Sequence, residues 1–350
     1  MLLLVAGLVL LVAGAEILVR GASALAIAAG ISPLVFCLTV VAYGTSAPEL
    51  AVGVQAGLGG EPEIALGNVV GSNIFNILFV LGACALLTPL AVQQELVRRD
   101  VPVMIGVSLL LLVLVLGGRL SQLEGFGLLA GVGIYSGWVI RASRRASVDE
   151  RADVRLSAPG ARVPVPRNVG LVVVGLAMLV LGGRWLVDGA VEIAGALGLS
   201  ELVIGLTVVA IGTSLPEVAT SLAAVRRGER DIAVGNAVGS NIFNVLLIVG
   251  ATAAVSSGGI DVPASLPRFD LPVMTAVALA CLPVFFTGGS ITRWEGALFL
   301  AYYVAYTLYL LLDATGHDAQ PVFGAVMLLF VVPLTVLTLA ILVLRERARR

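Results

Sequence analysis

Two glutamates, Glu49 and Glu217, stand in strongly apolar surroundings, each inside a copy of one motif: GTSAPE at 44–49 and GTSLPE at 212–217. A carboxylate buried in a membrane is costly unless a cation, a proton or a partner neutralises it. Pro48 and Pro216 have no amide hydrogen and clash with the carbonyl four residues back, so each helix is expected to break there and free carbonyl oxygens. Lipid tolerates such a break only where the backbone lines a cavity or meets protein. Thr45 is spaced i,i+4 from Glu49 and Ser46 three residues before it, which predicts hydroxyls and carboxylate on one face; Thr213, Ser214 and Glu217 repeat the pattern. The next helix offers a second polar face, Asn68, Ser72 and Asn76, repeated as Asn236, Ser240 and Asn244. All these ligands are hard oxygens with no His or Cys among them, which selects alkali and alkaline-earth cations over zinc or copper.

The elements that must position these residues are membrane-spanning helices. The chain has 350 residues, 59% hydrophobic and 12% charged, with a mean hydropathy of +1.06. That composition excludes a soluble globular domain. About eleven apolar segments follow one another, at 2–28, 33–58, 63–88, 101–118, 122–141, 168–197, 201–225, 231–254, 271–288, 293–312 and 321–344. The N-terminal run reads as the first of these helices rather than a cleaved signal. Cys37, Cys84 and Cys281 lie in apolar runs without metal-ligand spacing and read as packing residues. His317 falls in a polar loop and receives no role. The basic residues are all Arg, and only their placement is informative.

The repetition extends along the chain. The stretch 44–82 aligns without a gap with 212–250, EILVRG at 16–21 matches RWLVDG at 184–189, DVPVM at 100–104 matches DLPVM at 270–274, and SQLEG at 121–125 matches TRWEG at 292–296. The Ser121/Glu124 and Thr292/Glu295 pairs have the form of capping boxes, and Asp100 and Asp270 look like helix N-caps. Glu16/Arg20 and Arg184/Asp188 are spaced as i,i+4 ion pairs that would neutralise themselves within a helix, or pair across the two helices, in a structural or gating role. Gly67-x-x-x-Gly71 and Gly235-x-x-x-Gly239 fit helix packing.

These matches predict an all-α polytopic membrane protein with a first five-helix repeat at 1–142, an Arg-rich loop at 143–167, a second five-helix repeat at 168–313, and an additional helix with a basic tail at 320–350. An odd number of helices per half inverts the second relative to the first. Arg141, Arg144, Arg145, Arg151, Arg155, Arg162 and Arg167 put the central loop in the cytoplasm, with Arg98, Arg99, Arg226, Arg227 and Arg230 on the same side. Glu61, Asp313 and Asp318 fall on the other. The N-terminus is then outside and the tail cytoplasmic, in a plasma or inner membrane.

The paired G-T-S-x-P-E and G-N-x-x-G-S-N-I-F-N motifs resemble the alpha repeats of the sodium/calcium exchangers, within the calcium/cation antiporter superfamily, over about ten of the eleven helices. The resemblance implies ten core helices, the second, third, seventh and eighth around a central site, with the long first and sixth sliding across them. It implies that Glu49 and Glu217 ligate Ca²⁺ and share in Na⁺ binding, and that Thr45, Ser46, Thr213 and Ser214 supply oxygens to either ion. Ala42 and Ala210 would offer backbone carbonyls, and Ser72, Asn76, Ser240 and Asn244 would complete the Na⁺ sites. Some relatives, the potassium-dependent exchangers among them, carry Asp where Asn244 stands, so two strong carboxylates remain here and potassium dependence is disfavoured. No regulatory domain is inserted between the halves.

The expected function is Ca²⁺/Na⁺ antiport by alternating access, without enzymatic activity, cofactor, nucleic acid or partner protein; the lipid bilayer and the two ions are the partners. No G-x-x-x-x-G-K-[ST] loop is present, so a counter-ion gradient rather than ATP is the expected drive. Ca²⁺/H⁺ antiport is the alternative. A passive cation channel and an intramembrane hydrolase with two carboxylates fit the duplicated hydroxyl and amide array less well.

Overall fold

The computed structural model describes residues 2–29, 33–60, 62–154, 164–196, 210–263 and 265–349. In the first half, α1 is Leu2–Ala29. A broken span follows, α2 Leu34–Thr45 and α3 Ala47–Gly59, bent by 46°. Then come α4 Pro62–Leu87, α5 Leu96–Gly117 and α6 Gln122–Val154. The second half holds α7 Val165–Ala196, the short α8 Ala210–Thr213, α9 Leu215–Arg226, and α10 Arg230–Val255, α11 Leu266–Phe286 and α12 Arg293–Ala314. A final helix, α13, runs from Gln320 to Arg349, with its apolar span ending at Leu344. Among the described residues, nine helices are long and apolar enough to cross a membrane, or ten with the bent pair as one span. The segment expected at 201–225 lies partly outside the described residues, as do Arg155 and Arg162 of the central polar stretch and Glu61.

The central stretch differs from expectation. Where a loop beginning at 143 is predicted, α6 continues to Val154. The residues involved, RASRRASVDERADV, are rich in Arg and Ala, which favour helix, and the first proline of the stretch comes later, at Pro159.

Burial identifies the centre of the bundle. Within their most apolar stretches, 78% of α4 and 83% of α10 are buried, against 6% for α12 and α13. The helices around them approach through glycines, where a side chain would strike the neighbour. A Cβ on Gly296 of α12 would lie 2.8 Å from the Gly82 carbonyl of α4, and one on Gly125 of α6 would lie 2.9 Å from the Gly250 carbonyl of α10. Each half's last helix thus packs on the central helix of the other half. Helices α1 and α7 meet the same way: a Cβ on Gly182 would fall 2.8 Å from the Gly7 carbonyl, and one on Gly175 would fall 2.7 Å from the Leu18 amide nitrogen. Gly239 of the expected packing motif lies against α2, where a Cβ would be 3.1 Å from the Leu38 Cα.

Two-residue strands tie the ends. Antiparallel pairing joins β1 (Leu90–Ala91) to β4 (Ser290–Ile291) and β2 (Arg119–Leu120) to β3 (Ile260–Asp261). The connection after α4 meets the start of α10, where Arg230 donates to the Pro89 carbonyl and Gln93 to Asp231. At the other end, Gln122 donates to the Ser256 carbonyl after α10. The exits of the equivalent helices α4 and α10 therefore lie at opposite ends of the bundle.

Both expected capping boxes are present: Glu124 accepts from the Ser121 amide at 2.7 Å, and Glu295 from the Thr292 amide at 2.8 Å. Asp100 and Asp270 are not caps. Their backbone is already helical and neither side chain caps an amide. Asp100 instead takes Arg99 and the Tyr135 hydroxyl at 3.1 Å, and Asp270 takes the Tyr306 hydroxyl at 2.9 Å. A partner one helix away, invisible to local spacing, replaced the cap. The expected Glu16/Arg20 pair is also corrected: Glu16 is ion-paired with Arg227, and Arg184–Asp188 is not among the ion pairs of the described residues.

Candidate functional site

The break in the second span falls at Ser46, and its counterpart at Ser214. Both residues leave the helical region (φ −80°, ψ 7° and φ −92°, ψ 9°), a sparsely populated backbone state that functional sites often use. Pro48 and Pro216 then sit in the first turn of the following helix, where a missing amide hydrogen costs nothing. The predicted interruption is real, two residues before each proline. It ends α2 and α8 at Thr45 and Thr213, and it puts Glu49 and Glu217 in the first turn of a new helix. The positive end of that helix favours the carboxylates.

The break also changes which groups meet. Regular helical spacing predicts that Thr45 and Ser46 share a face with Glu49. In the structure Thr45 and Ser46 lie beside Glu217, and Ser214 lies beside Glu49. Each carboxylate is therefore approached by hydroxyls of the opposite half, and the two carboxylates are near enough to feel each other's charge. The polar faces of α4 and α10 close the arrangement in the same crossed sense. Thr213 donates to Asn68 Oδ1 at 3.3 Å, Ser214 to Ser72 at 3.0 Å, and Thr45 to Asn236 Oδ1 at 3.5 Å.

Glu49, Glu217, Thr45, Ser46, Ser214, Ser72, Asn76, Ser240 and Asn244 are all at most 2% exposed. Thr213 is half-buried. The Ala42 carbonyl accepts the Ser46 amide at 3.1 Å and the Thr45 hydroxyl at 3.4 Å, and Ala210 is the first described residue of α8.

What the site lacks is more telling. Among the described residues, nine buried side-chain polar atoms have no hydrogen-bond partner, and six belong to these residues: Glu49 Oε2, Glu217 Oε2, Ser46 Oγ, Ser240 Oγ, Asn76 Oδ1 and Asn244 Oδ1. All six are oxygens, three from each half. Folding normally leaves few such atoms, because each costs about 1–3 kcal/mol. Clustered oxygens without donors are what a dehydrated hard cation requires. Among the described residues no group of three or more His, Cys, Asp or Glu is assembled, so the donor set is two carboxylates and neutral oxygens.

Sequence reasoning missed Asn73 and Asn241, which lie inside the repeated motif but off the i,i+4 stripe. Asn73 Nδ2 donates to the Asn241 carbonyl at 3.3 Å, and Asn241 Nδ2 to the Asn73 carbonyl at 3.0 Å. Their Oδ1 atoms accept from Asn244 at 3.0 Å and Asn76 at 3.1 Å. The identical SN pair in both copies was the available signal. The site is also not fully symmetric. Asn236 Nδ2 donates to Ser221 at 3.2 Å, but Gly53 occupies the place of Ser221 in the first half and Asn68 Nδ2 has no partner.

Comparison with known proteins agrees with this architecture. Residues 1–141 and 167–312 match the family described as sodium/calcium exchanger protein. The chain is 40% identical to the "Putative antiporter CaxA" of Alkalimonas amylolytica over 83% of its own length and 92% of that protein. It is 33% identical to the "Sodium/calcium exchanger MaX1" of Methanosarcina acetivorans, over 88% and 97%. The solved structure of the sodium-calcium exchanger NCX_Mj superposes with a TM-score of 0.75 at 31% identity, covering 88% of this chain and 97% of that one. With two crossed half-sites of orphaned oxygens inside a bundle of spanning helices, this chain belongs to the sodium/calcium exchanger family, as an integral membrane antiporter.

Proposed function

We propose that the chain exchanges Ca²⁺ for Na⁺ across a plasma or inner membrane by alternating access, with both ions held at the site shared by Glu49 and Glu217. The observation that carries this reading is the set of six partnerless buried oxygens, three from each half, two of them belonging to the carboxylates of Glu49 and Glu217 themselves. A divalent cation cancels both charges, and several Na⁺ ions can replace it on the same oxygens. An empty site leaves two unpaired carboxylates in a low-dielectric interior, which opposes its return across the membrane and couples the two fluxes. Ser46, Ser72, Ser240, Thr45, Thr213, Ser214, Asn76 and Asn244 supply neutral oxygens, and Ala42 and Ala210 supply carbonyls where the helices end.

In this reading the halves are inverted-topology repeats. The placement of the α4 and α10 exits at opposite ends, and the crossed strand pairs, support it. Arg98, Arg99, Arg226, Arg227 and Arg230 gather at one end with the basic tail, which orients that end to the cytoplasm and the N-terminus outside. Helix α13, beyond the family match, packs on α12 through the Tyr302 hydroxyl to Thr335 at 2.6 Å and adds a further crossing.

Reconstituted protein tests the counter-ion. Uptake of ⁴⁵Ca²⁺ into proteoliposomes is expected under an outward Na⁺ gradient and not under an outward proton gradient. Uptake driven by the proton gradient alone would establish Ca²⁺/H⁺ exchange instead, and equal flux without either gradient would establish a channel.

A further inference from the structure

The amides of Asn76 and Asn244 have a fixed polarity, and two neighbouring asparagines set it. Asn73 Nδ2 faces the main-chain carbonyl of Asn241, and Asn241 Nδ2 faces that of Asn73. A carbonyl can only accept, so the nitrogen of each side chain must be the end that points there. The opposite end, Oδ1, then meets the next amide. Asn73 Oδ1 requires Asn244 to present Nδ2, and Asn241 Oδ1 requires the same of Asn76. Once those nitrogens are engaged, Asn76 Oδ1 and Asn244 Oδ1 remain buried with no protein donor. The chain of hydrogen bonds runs from a backbone carbonyl through two side chains, leaving an oxygen at the site, and it crosses between the halves in both directions.

We propose that Asn73 and Asn241 are positioning residues for cation exchange: each holds an amide of the opposite half so that its oxygen, and not its NH₂ group, faces the ion. This rests on the cation reading of the site. A primary amide without such a partner can turn by half a revolution at little cost, and its NH₂ end repels a cation. Both held residues open a π-helical turn, Asn76–Leu81 and Asn244–Val249, where the widened helix re-aims side chains relative to a regular one. Asn73 and Asn241 are themselves 1% and 3% exposed, and their Nδ2 and Oδ1 atoms are all hydrogen-bonded, so they act through Asn244 and Asn76 rather than as ligands.

The test is a double-mutant cycle on the purified full chain, read as the half-saturating ⁴⁵Ca²⁺ concentration at equilibrium, with thermal unfolding in detergent as the control for folding. Asn73→Leu and Asn244→Ala are each expected to raise that concentration by about tenfold or more, the scale of one lost polar contact. The double variant is expected to be no weaker than Asn244→Ala alone, because the effect of Asn73 passes through Asn244. Asn73→Asp, which in its protonated form can both donate to the Asn241 carbonyl and accept from Asn244, should stay within about threefold of wild type. Additive losses in the double variant, or an Asn73→Asp as weak as Asn73→Leu, would overturn the positioning role and leave the cation reading standing. Wild-type protein that binds no Ca²⁺ would overturn both. If Asn73→Leu does not fold, the mirror cycle of Asn241→Leu with Asn76→Ala asks the same question.

Discussion

Glu16, half-way along α1, is ion-paired with Arg227 at the end of α9, and Ser23, two turns further on, bonds Glu229 in the turn that follows. The first helix is thereby tied by polar contacts to the turn between α9 and α10, although its apolar packing is against α7. The local i,i+4 partner of Glu16, Arg20, is exposed.

The pair is half-exposed, so it is worth little to stability, about 0–1 kcal/mol. Its effect should appear in exchange kinetics. Glu16→Arg and Arg227→Glu are each expected to change the rate of Na⁺-driven ⁴⁵Ca²⁺ uptake, and the double swap to restore most of it. Arg20→Ala is expected to be silent. A double swap no better than the single variants would show that the pair does not link α1 to the core during exchange.

The glycine contacts between halves predict a contrast within one helix. Gly125→Ala places a methyl 2.9 Å from backbone atoms of α10, the Gly250 carbonyl and the Ala254 amide nitrogen. Overpacking of this kind typically costs about 1–3 kcal/mol. Gly127→Ala, two residues on, meets open space and should be neutral or stabilising, as Ala is the better helix former. Thermal unfolding in detergent separates the two. Equal melting temperatures would place the α6–α10 contact elsewhere.

The carboxylates at 100 and 270 predict a loss in each half, unequal in size. Tyr135→Phe removes the hydroxyl bonded to Asp100, and Tyr306→Phe the one bonded to Asp270. Hydrogen bonds to charged groups contribute about 1.5–3 kcal/mol. Because Asp100 keeps Arg99 at 3.1 Å whereas Tyr306 is the side-chain partner seen at Asp270, the second variant should be the more destabilised. Ion affinity should be unchanged in both, since neither tyrosine reaches the site.

Much of this molecule was legible from sequence because membrane spans and duplicated motifs are local signals. Apolar runs placed most of the described helices within about five residues, although α6 runs on to Val154; the S/T-x-x-E pattern gave both caps, and the proline predicted the broken span. The remainder depended on contacts across the halves. Thr45 was expected beside Glu49 because a continuous helix puts them four residues apart; that Thr45 lies beside Glu217 depends on the crossing of the two halves, which its own helix does not encode. Asp100 resembled a cap until Tyr135, a helix away, was in view. Asn73 and Asn241 escaped notice because they do not lie on the polar stripe, and their role depends on the backbone of the opposite half. Local periodicity cannot encode which helices cross.

The central claim is that one cation site is built jointly by the two halves. Equilibrium binding of ⁴⁵Ca²⁺ to purified wild type, Glu49→Gln and Glu217→Gln measures it directly. The account predicts a single class of Ca²⁺ displaced by Na⁺ in the wild type, and loss of that whole class in either variant, with thermal stability retained. Two classes in the wild type, with one surviving intact in each variant, would mean that each half binds on its own and would contradict it.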